Sequence, residues 1–167
     1  MTQAQFKEFH HETNRQVWSY LFRLTNDMEL AKDLTQETYI RYLQSGAAIE
    51  STAAAKSYLF SVATNLTRDH WRRGKVRGRW EDEHETEPMD EFADALSLRL
   101  DLAAAMEQLT LMQRSLLWLT YVEGYSHQEV AAIQQLQPDS VKVLLSRARA
   151  RLAKICREMG IAKESRS

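Results

Sequence analysis

Apolar positions along the chain fall three and four residues apart, the spacing of residues that share one face of an α-helix. Phe6, Phe9, Val17, Trp18, Leu21, Phe22 and Leu24 keep mostly to it and predict a first helix. The polar break Thr25-Asn26-Asp27 follows, and Asn26 or Asp27 can cap the next element. A second helix is expected from about Met28 to Gln44, with Ala31, Leu34, Thr38 and Tyr42 toward a core and Ser45-Gly46 as its stop. Small residues fill a loop from Gly46 to Ala53. A third helix then runs from about Ala54 to Arg73, with Leu59, Val62, Ala63, Leu66 and His70 on its inner face. His70 reads as a packed residue rather than a metal ligand.

The pattern resumes after an interruption. Leu98, Leu102, Ala105 and Leu109 form one side of an amphipathic helix from Leu98 to Leu109. Thr110 with Gln113 has the form of a capping box, in which the cap side chain and the side chain three residues on satisfy each other's backbone amides. A helix through Leu116, Leu117, Leu119 and Tyr121 ends at Gly124. Ser126 and Glu129 form a second capping box and open a short helix whose Val130 and Ile133 point inward. After a turn, Val141, Leu144, Leu145, Ala148, Leu152 and Ile155 fall on one face of a last helix. Lys142, Val143, Ser146, Arg147 and Ala150 fall opposite.

Bulk properties agree with an all-α chain. It has 167 residues, enough for one domain or two small ones, and only five Gly and two Pro. At 44% hydrophobic and 27% charged it is globular in composition. The net charge of −1 hides strong segregation. Arg68, Arg72, Arg73, Lys75, Arg77 and Arg79, with Trp71 and Trp80 among them, make the most basic stretch. Glu81, Asp82, Glu83, Glu85, Glu87, Asp90, Glu91 and Asp94 follow around Pro88 with no Lys or Arg between them. Like charges and scarce apolar surface make residues 76–95 a flexible acidic linker between two small helical domains. The expected boundaries are 1–75 for an N-terminal helical bundle, 96–160 for a C-terminal four-helix domain with a helix-turn-helix, and 161–167 for a tail. The acids with His84 lack the rigid scaffold a metal site needs. The single cysteine, Cys156, excludes an internal disulfide and a CxxC site, and on an apolar helix face it reads as core. No metal, cofactor or catalytic residue is expected. A polar N-terminus and the lack of a long apolar run predict no membrane insertion and a cytoplasmic location.

The candidate chemistry is nucleic-acid binding. From Asp139 to Arg157 the last helix carries Lys142, Arg147, Arg149, Arg151, Lys154 and Arg157 against the lone acid Asp139. Small residues on its outer face, Ser146 and Ala150, let it sink toward base edges, while Lys142 and Arg147 can reach guanine acceptors or phosphates. Arg149 and Arg151 can grip phosphates at the flanks. In the third helix Ser61, Asn65, Arg68 and Arg72 share a face. The basic residues and indoles there suit a sugar-phosphate backbone and unstacked bases, or equally a solvated helix end with core tryptophans. In the second helix Asp33, Gln36, Glu37 and Arg41 form a polar stripe that spacing alone assigns to solvated surface.

Three stretches together resemble the extracytoplasmic-function (ECF) group of the sigma-seventy family of bacterial RNA polymerase specificity subunits. AKDLTQETYIR, Ala31 to Arg41, resembles the family's EDLxQETFLR segment. Ala55 to Arg73 resembles its WLxxIAxNxxxDxxRR helix. Tyr125 to Ala131 with Ser140 to Arg149 resembles its YxEIA…TVKSRLSRAR ending. Order and separation match, and the resemblance spans nearly the whole chain. It implies a non-catalytic protein that binds core RNA polymerase and promoter DNA and initiates transcription of a specific regulon, commonly under an anti-sigma factor. Asp33, Gln36, Glu37 and Arg41 become a face that docks on the polymerase. The Gly46 to Ala53 loop, with Ala48, Ile49 and Glu50, matches the family's loop that captures a flipped base of the minus-ten element. Asn65 lies near that pocket, and Arg68, Arg72 and Arg73 would hold the duplex upstream. Ser140, Lys142, Val143, Ser146, Arg147, Arg149 and Arg151 would read the minus-thirty-five element. The acidic linker fits a segment threaded through the polymerase interior.

The chain departs from the family at Gln135, where the turn usually has Gly, and at Asp139-Ser140, where the recognition helix usually opens with Gly-Thr or Gly-Ser. Asp139 is expected to cap that helix. Two rival readings are an ordinary dimeric helix-turn-helix regulator, against which the N-terminal motif pair stands, and a metal-dependent nuclease, for which no rigid carboxylate constellation exists.

Overall fold

The computed structural model describes residues 2–46, 51–77 and 101–160. The expected base-capture residues Ala48, Ile49 and Glu50, most of the acidic linker and the tail 161–167 lie outside them. The described residues are helical, with no strand among them. The chain divides into two compact units, residues 1–84 with 132–135, and residues 85–131 with 136–167.

Three helices, each packed on the other two, build the first unit: α1 (Gln3–Thr25), α2 (Met28–Gln44) and α3 (Thr52–Arg77). Local chemistry sets their ends. Thr2 and Gln5 close a capping box on α1. Asn26 takes the left-handed conformation that ends α1, and the Asp27 carboxylate accepts from the Leu30 amide at 3.1 Å to start α2. Asp27 is therefore the cap, and α2 has the bounds its sequence predicts. Ser51 Oγ accepts from the Ala54 amide, so α3 begins at Thr52, slightly before the expected start. It continues to Arg77, one turn past Arg73.

The bundle core holds Val17, Leu21, Leu24, Ala31, Leu59, Phe60, Ala63 and Leu66. Tyr42 of α2 packs against Phe6 and Phe9 of α1 and Tyr58 of α3. Tyr20 sits edge-on to Phe60, and its hydroxyl meets Thr64 Oγ1 at 2.7 Å. Thr13, Thr35, Thr38, Thr64 and Thr67 are buried too. Each hydroxyl donates to the carbonyl four residues back, at 2.6–2.8 Å, so none enters the core unsatisfied. His70, expected inside, is only half-buried.

The remaining described helices are α4 (helical at residues 101–107), α5 (Leu111–Leu117), α6 (His127–Gln134) and α7 (Pro138–Glu158), all in the second unit save residues 132–134 of α6. The Thr110–Gln113 capping box forms as expected, and so does that of Ser126 and Glu129. Ala105, Met106 and Leu109 are buried, but Leu102, assigned to the inner face, is 46% exposed. Beyond Leu117 the helix widens into a π turn, Trp118–Val122, closed by the Glu123 amide on the Trp118 carbonyl. Gly124, at φ +74°, ends it. The extra residue in that turn is a feature the helical spacing does not announce.

The turn between α6 and α7 is a Schellman motif. The Leu136 amide donates to the Ala131 carbonyl and the Gln135 amide to that of Ala132, with Gln135 at φ +59°. An L side chain there costs about 1–2 kcal/mol that glycine does not pay in sterics. Gln135 is exposed. Gln135→Gly is therefore expected to stabilise the protein by about 0.5–1 kcal/mol, net of the glycine's greater unfolded-state freedom. A urea titration showing a higher midpoint at unchanged slope checks this; a lower midpoint contradicts it.

Candidate functional site

α2 presents its outward face intact. Asp33, Gln36 and Arg41 are exposed and Glu37 is half-exposed. Arg41 Nε donates to Glu37 Oε1 at 3.1 Å, one helical turn apart. Ala31, Thr35, Thr38, Tyr39 and Tyr42 anchor the opposite side. Burial holds the Tyr39 phenol above its ordinary pKa, and its hydroxyl meets Thr13 Oγ1 at 2.5 Å. This fixes the rotation of α2 and so the direction its stripe faces. The same face carries two further residues outside the polar stripe, Ile40 at 47% and Leu43 at 56% exposure. They lie four and seven residues beyond Gln36, so the face is mixed, with Gln36, Ile40 and Leu43 along one flank and Asp33, Glu37 and Arg41 along the other. The repeat Asp33, Gln36, Ile40, Leu43 was visible in the sequence as a helical face.

On α3, Arg72 and Arg73 are exposed, Asn65 and Arg68 half-buried. Burial draws the Arg68 guanidinium below the ordinary arginine pKa, yet arginine stays charged in proteins. Arg72 Nη1 lies 3.9 Å from Asp69 Oδ1 in an exposed pair, a separation weak enough to leave its charge available.

On α7 the separation of faces is complete. Val141, Leu145, Ala148 and Ile155 are buried, Leu144, Leu152 and Cys156 half-buried. Lys142, Val143, Ser146, Arg147, Arg149 and Arg151 are all exposed, and Ser140 half-buried. At about 100° per residue, Ser146, Ala150 and Ala153 line the middle of the outer face. Lys142 and Arg149 stand on one edge, Arg147, Arg151 and Lys154 on the other. Val143 sits beside the middle line at 49% exposure. A ridge of small side chains between two basic edges fits a groove about 12 Å wide bounded by phosphates.

Asp139 does not cap α7. Pro138 occupies the first helical position, which makes Gln137 the cap residue, without a side-chain bond. Proline's fixed φ and missing amide suit that position. Asp139 is left exposed in the first turn, where its charge favours the helix dipole. Across the unit, Arg149 Nη1 donates to Tyr121 Oη of the π turn at 2.7 Å.

Among the described residues, no group of three or more His, Cys, Asp or Glu side chains could hold a metal ion. No described helix is long and apolar enough to cross a membrane.

Comparison with known proteins gives these surfaces a context. The family models for Sigma-70 region 2 and for Sigma-70, region 4 match residues 9–77 and 99–152. The chain is 30% identical to the ECF RNA polymerase sigma factor SigL of Mycobacterium tuberculosis (strain ATCC 25618 / H37Rv), over 88% of this chain and 86% of that one. It is 28% identical to the ECF RNA polymerase sigma factor SigX of Bacillus subtilis (strain 168), over 77% and 72% respectively. In fold it is similar to the sigma factor RpoE solved in complex with the anti-sigma factor NepR from Bartonella quintana. The TM-score is 0.76 at 24% identity, over 92% of this chain and 97% of that one.

Proposed function

The chain belongs to the extracytoplasmic-function group of the sigma-70 family, and we propose that it docks on core RNA polymerase through α2 and reads two separated promoter elements. The family consists of transcription initiation factors; this chain adds no catalysis and leaves the chemistry to the polymerase. Residues 1–75 form the docking and minus-ten module, 76–95 a linker and 96–160 the minus-thirty-five module, followed by the tail 161–167. Asp33, Gln36, Glu37 and Arg41, with Ile40 and Leu43, meet the polymerase. The mixed character of that face supports this, because a face meant only for solvent gains nothing from exposing two large aliphatic side chains on one line.

Arg68, Arg72 and Arg73 hold the duplex just upstream of the minus-ten element, and Ala48, Ile49 and Glu50 take its extruded base, with Asn65 near that pocket. Holding an unstacked base is worth on the order of 1–3 kcal/mol, comparable with the stacking given up, so the strand stays open without fuel. α7 lies in the major groove of the minus-thirty-five element. The exposed outer face of α7, with small residues between two basic edges, carries this assignment. The protein acts in the cytoplasm beside the polymerase. An anti-sigma factor holds it inactive; the solved protein that shares its fold was captured with such a partner.

Run-off transcription tests the proposal. Purified core polymerase with this chain should initiate at one position on its own promoter, and core alone should not. A folded chain that leaves core polymerase unspecific on that template overturns it.

A further inference from the structure

The geometry points to Tyr121 as a phosphate-binding residue that works together with Arg149, resting on the reading of α7 as a major-groove helix. Tyr121 stands on the π turn and is 57% exposed, with its hydroxyl against the guanidinium of Arg149 on one edge of α7. The bond has a direction. Arginine has only donors, so Tyr121 Oη must accept from Arg149 Nη1 at 2.7 Å. The phenol's own hydrogen is therefore left to donate elsewhere, and so are the remaining guanidinium N–H groups.

Two donors on different helices are thus tied side by side at the edge of the groove-facing surface. Their combined chemistry is that of a clamp for one phosphodiester oxygen pair: a charged fork from Arg149 and a neutral O–H from Tyr121. The tie also restrains a long side chain before DNA arrives, so less rotamer freedom is given up on binding. The π turn sets the position of the hydroxyl, because the added residue changes the direction in which Tyr121 leaves the helix. Neither residue is buried, so the pair has no evident packing duty that would account for it.

The test uses the full chain and a mixed-sequence 30-base-pair duplex, since a phosphate contact is indifferent to sequence. Affinity is measured against potassium chloride concentration for the wild type, Tyr121→Phe, Arg149→Ala and the double variant. Tyr121→Phe should weaken binding about fivefold, the scale of losing one ordinary hydrogen bond. It should leave the salt slope unchanged, because no charge is removed. Arg149→Ala should lower that slope by about 0.9, one phosphate. In the Arg149→Ala background, Tyr121→Phe should cost less than about twofold, which records the coupling. The melting temperature of Tyr121→Phe should match the wild type.

A Tyr121→Phe effect that is absent, or equal with and without Arg149, overturns the clamp and leaves the proposed function standing. A wild-type chain that binds no duplex even at low salt overturns the groove reading, and the clamp with it.

Discussion

The double variant Asp33→Lys/Glu37→Lys is expected to weaken core polymerase binding by at least about 100-fold, because like charges placed across an interface cost several kcal/mol. The fold should hardly notice. Asp33 is exposed, and the Glu37–Arg41 pair it would disturb has both side chains about half in water. Such a pair is worth about 0.3–0.5 kcal/mol, and a like-charge pair at the same spacing costs a similar amount. The melting temperature should therefore stay within a few degrees of the wild type while the affinity collapses. Ile40→Asp separates two contributions to the same face. Its effect should persist at high salt, since it removes apolar surface and buries a charge, whereas the effect of charge reversal should shrink as salt screens it. Unaltered core affinity in both variants would remove α2 from the docking surface.

Much of this architecture was legible in the sequence, and the reasons differ by element. The bounds of α2 were readable because both its ends are made by local chemistry: Asp27 accepting from the Leu30 amide and Gly46 at positive φ. Both capping boxes of the second unit were readable for the same reason. The rotation of α7 followed from apolar spacing alone, and the structure exposes the residues assigned to its outer face. The threonines were harder. Thr13, Thr35, Thr64 and Thr67 look polar in sequence yet lie in the core, because a threonine in a helix can bond its hydroxyl to the preceding turn and leave only methyl and Cβ to pack. Tyr20 and Tyr39 hide in the same way, each through one hydroxyl contact to a threonine.

Other features carry a signal that competes with a more familiar one. Pro138 announces the first turn of α7 more strongly than Asp139 announces a cap, and the helix starts accordingly. Ile40 and Leu43 were visible on the outward face of α2, but a stripe defined by its polar members leaves them out. The π turn has no local marker. The bond between Tyr121 and Arg149 ties that turn to α7, a link that spacing arguments cannot foresee.

The second large effect is expected on the groove-facing side of α7. Lys142→Ala with Arg147→Ala should reduce binding to the minus-thirty-five duplex by about 100-fold or more, on the scale of 1–3 kcal/mol for each base-reading or phosphate-gripping side chain removed. Both side chains are exposed, on opposite edges of the outer face. Each can reach either a guanine edge or a phosphate, and the two cases separate cleanly. If both grip phosphates, binding weakens equally for specific and scrambled duplexes, and the salt slope falls by about 1.8, twice the value for one phosphate. If one reads guanine, binding weakens more on the specific duplex, and discrimination at one base pair relaxes. Stability should be nearly untouched, because Val141, Leu145, Ala148 and Ile155 carry the packing of α7 and neither substitution reaches them. Alanine also favours helix at both positions. Core polymerase binding should stay at the wild-type level, since the docking face belongs to α2. A double variant with wild-type promoter affinity and an unchanged salt slope would take α7 out of the groove.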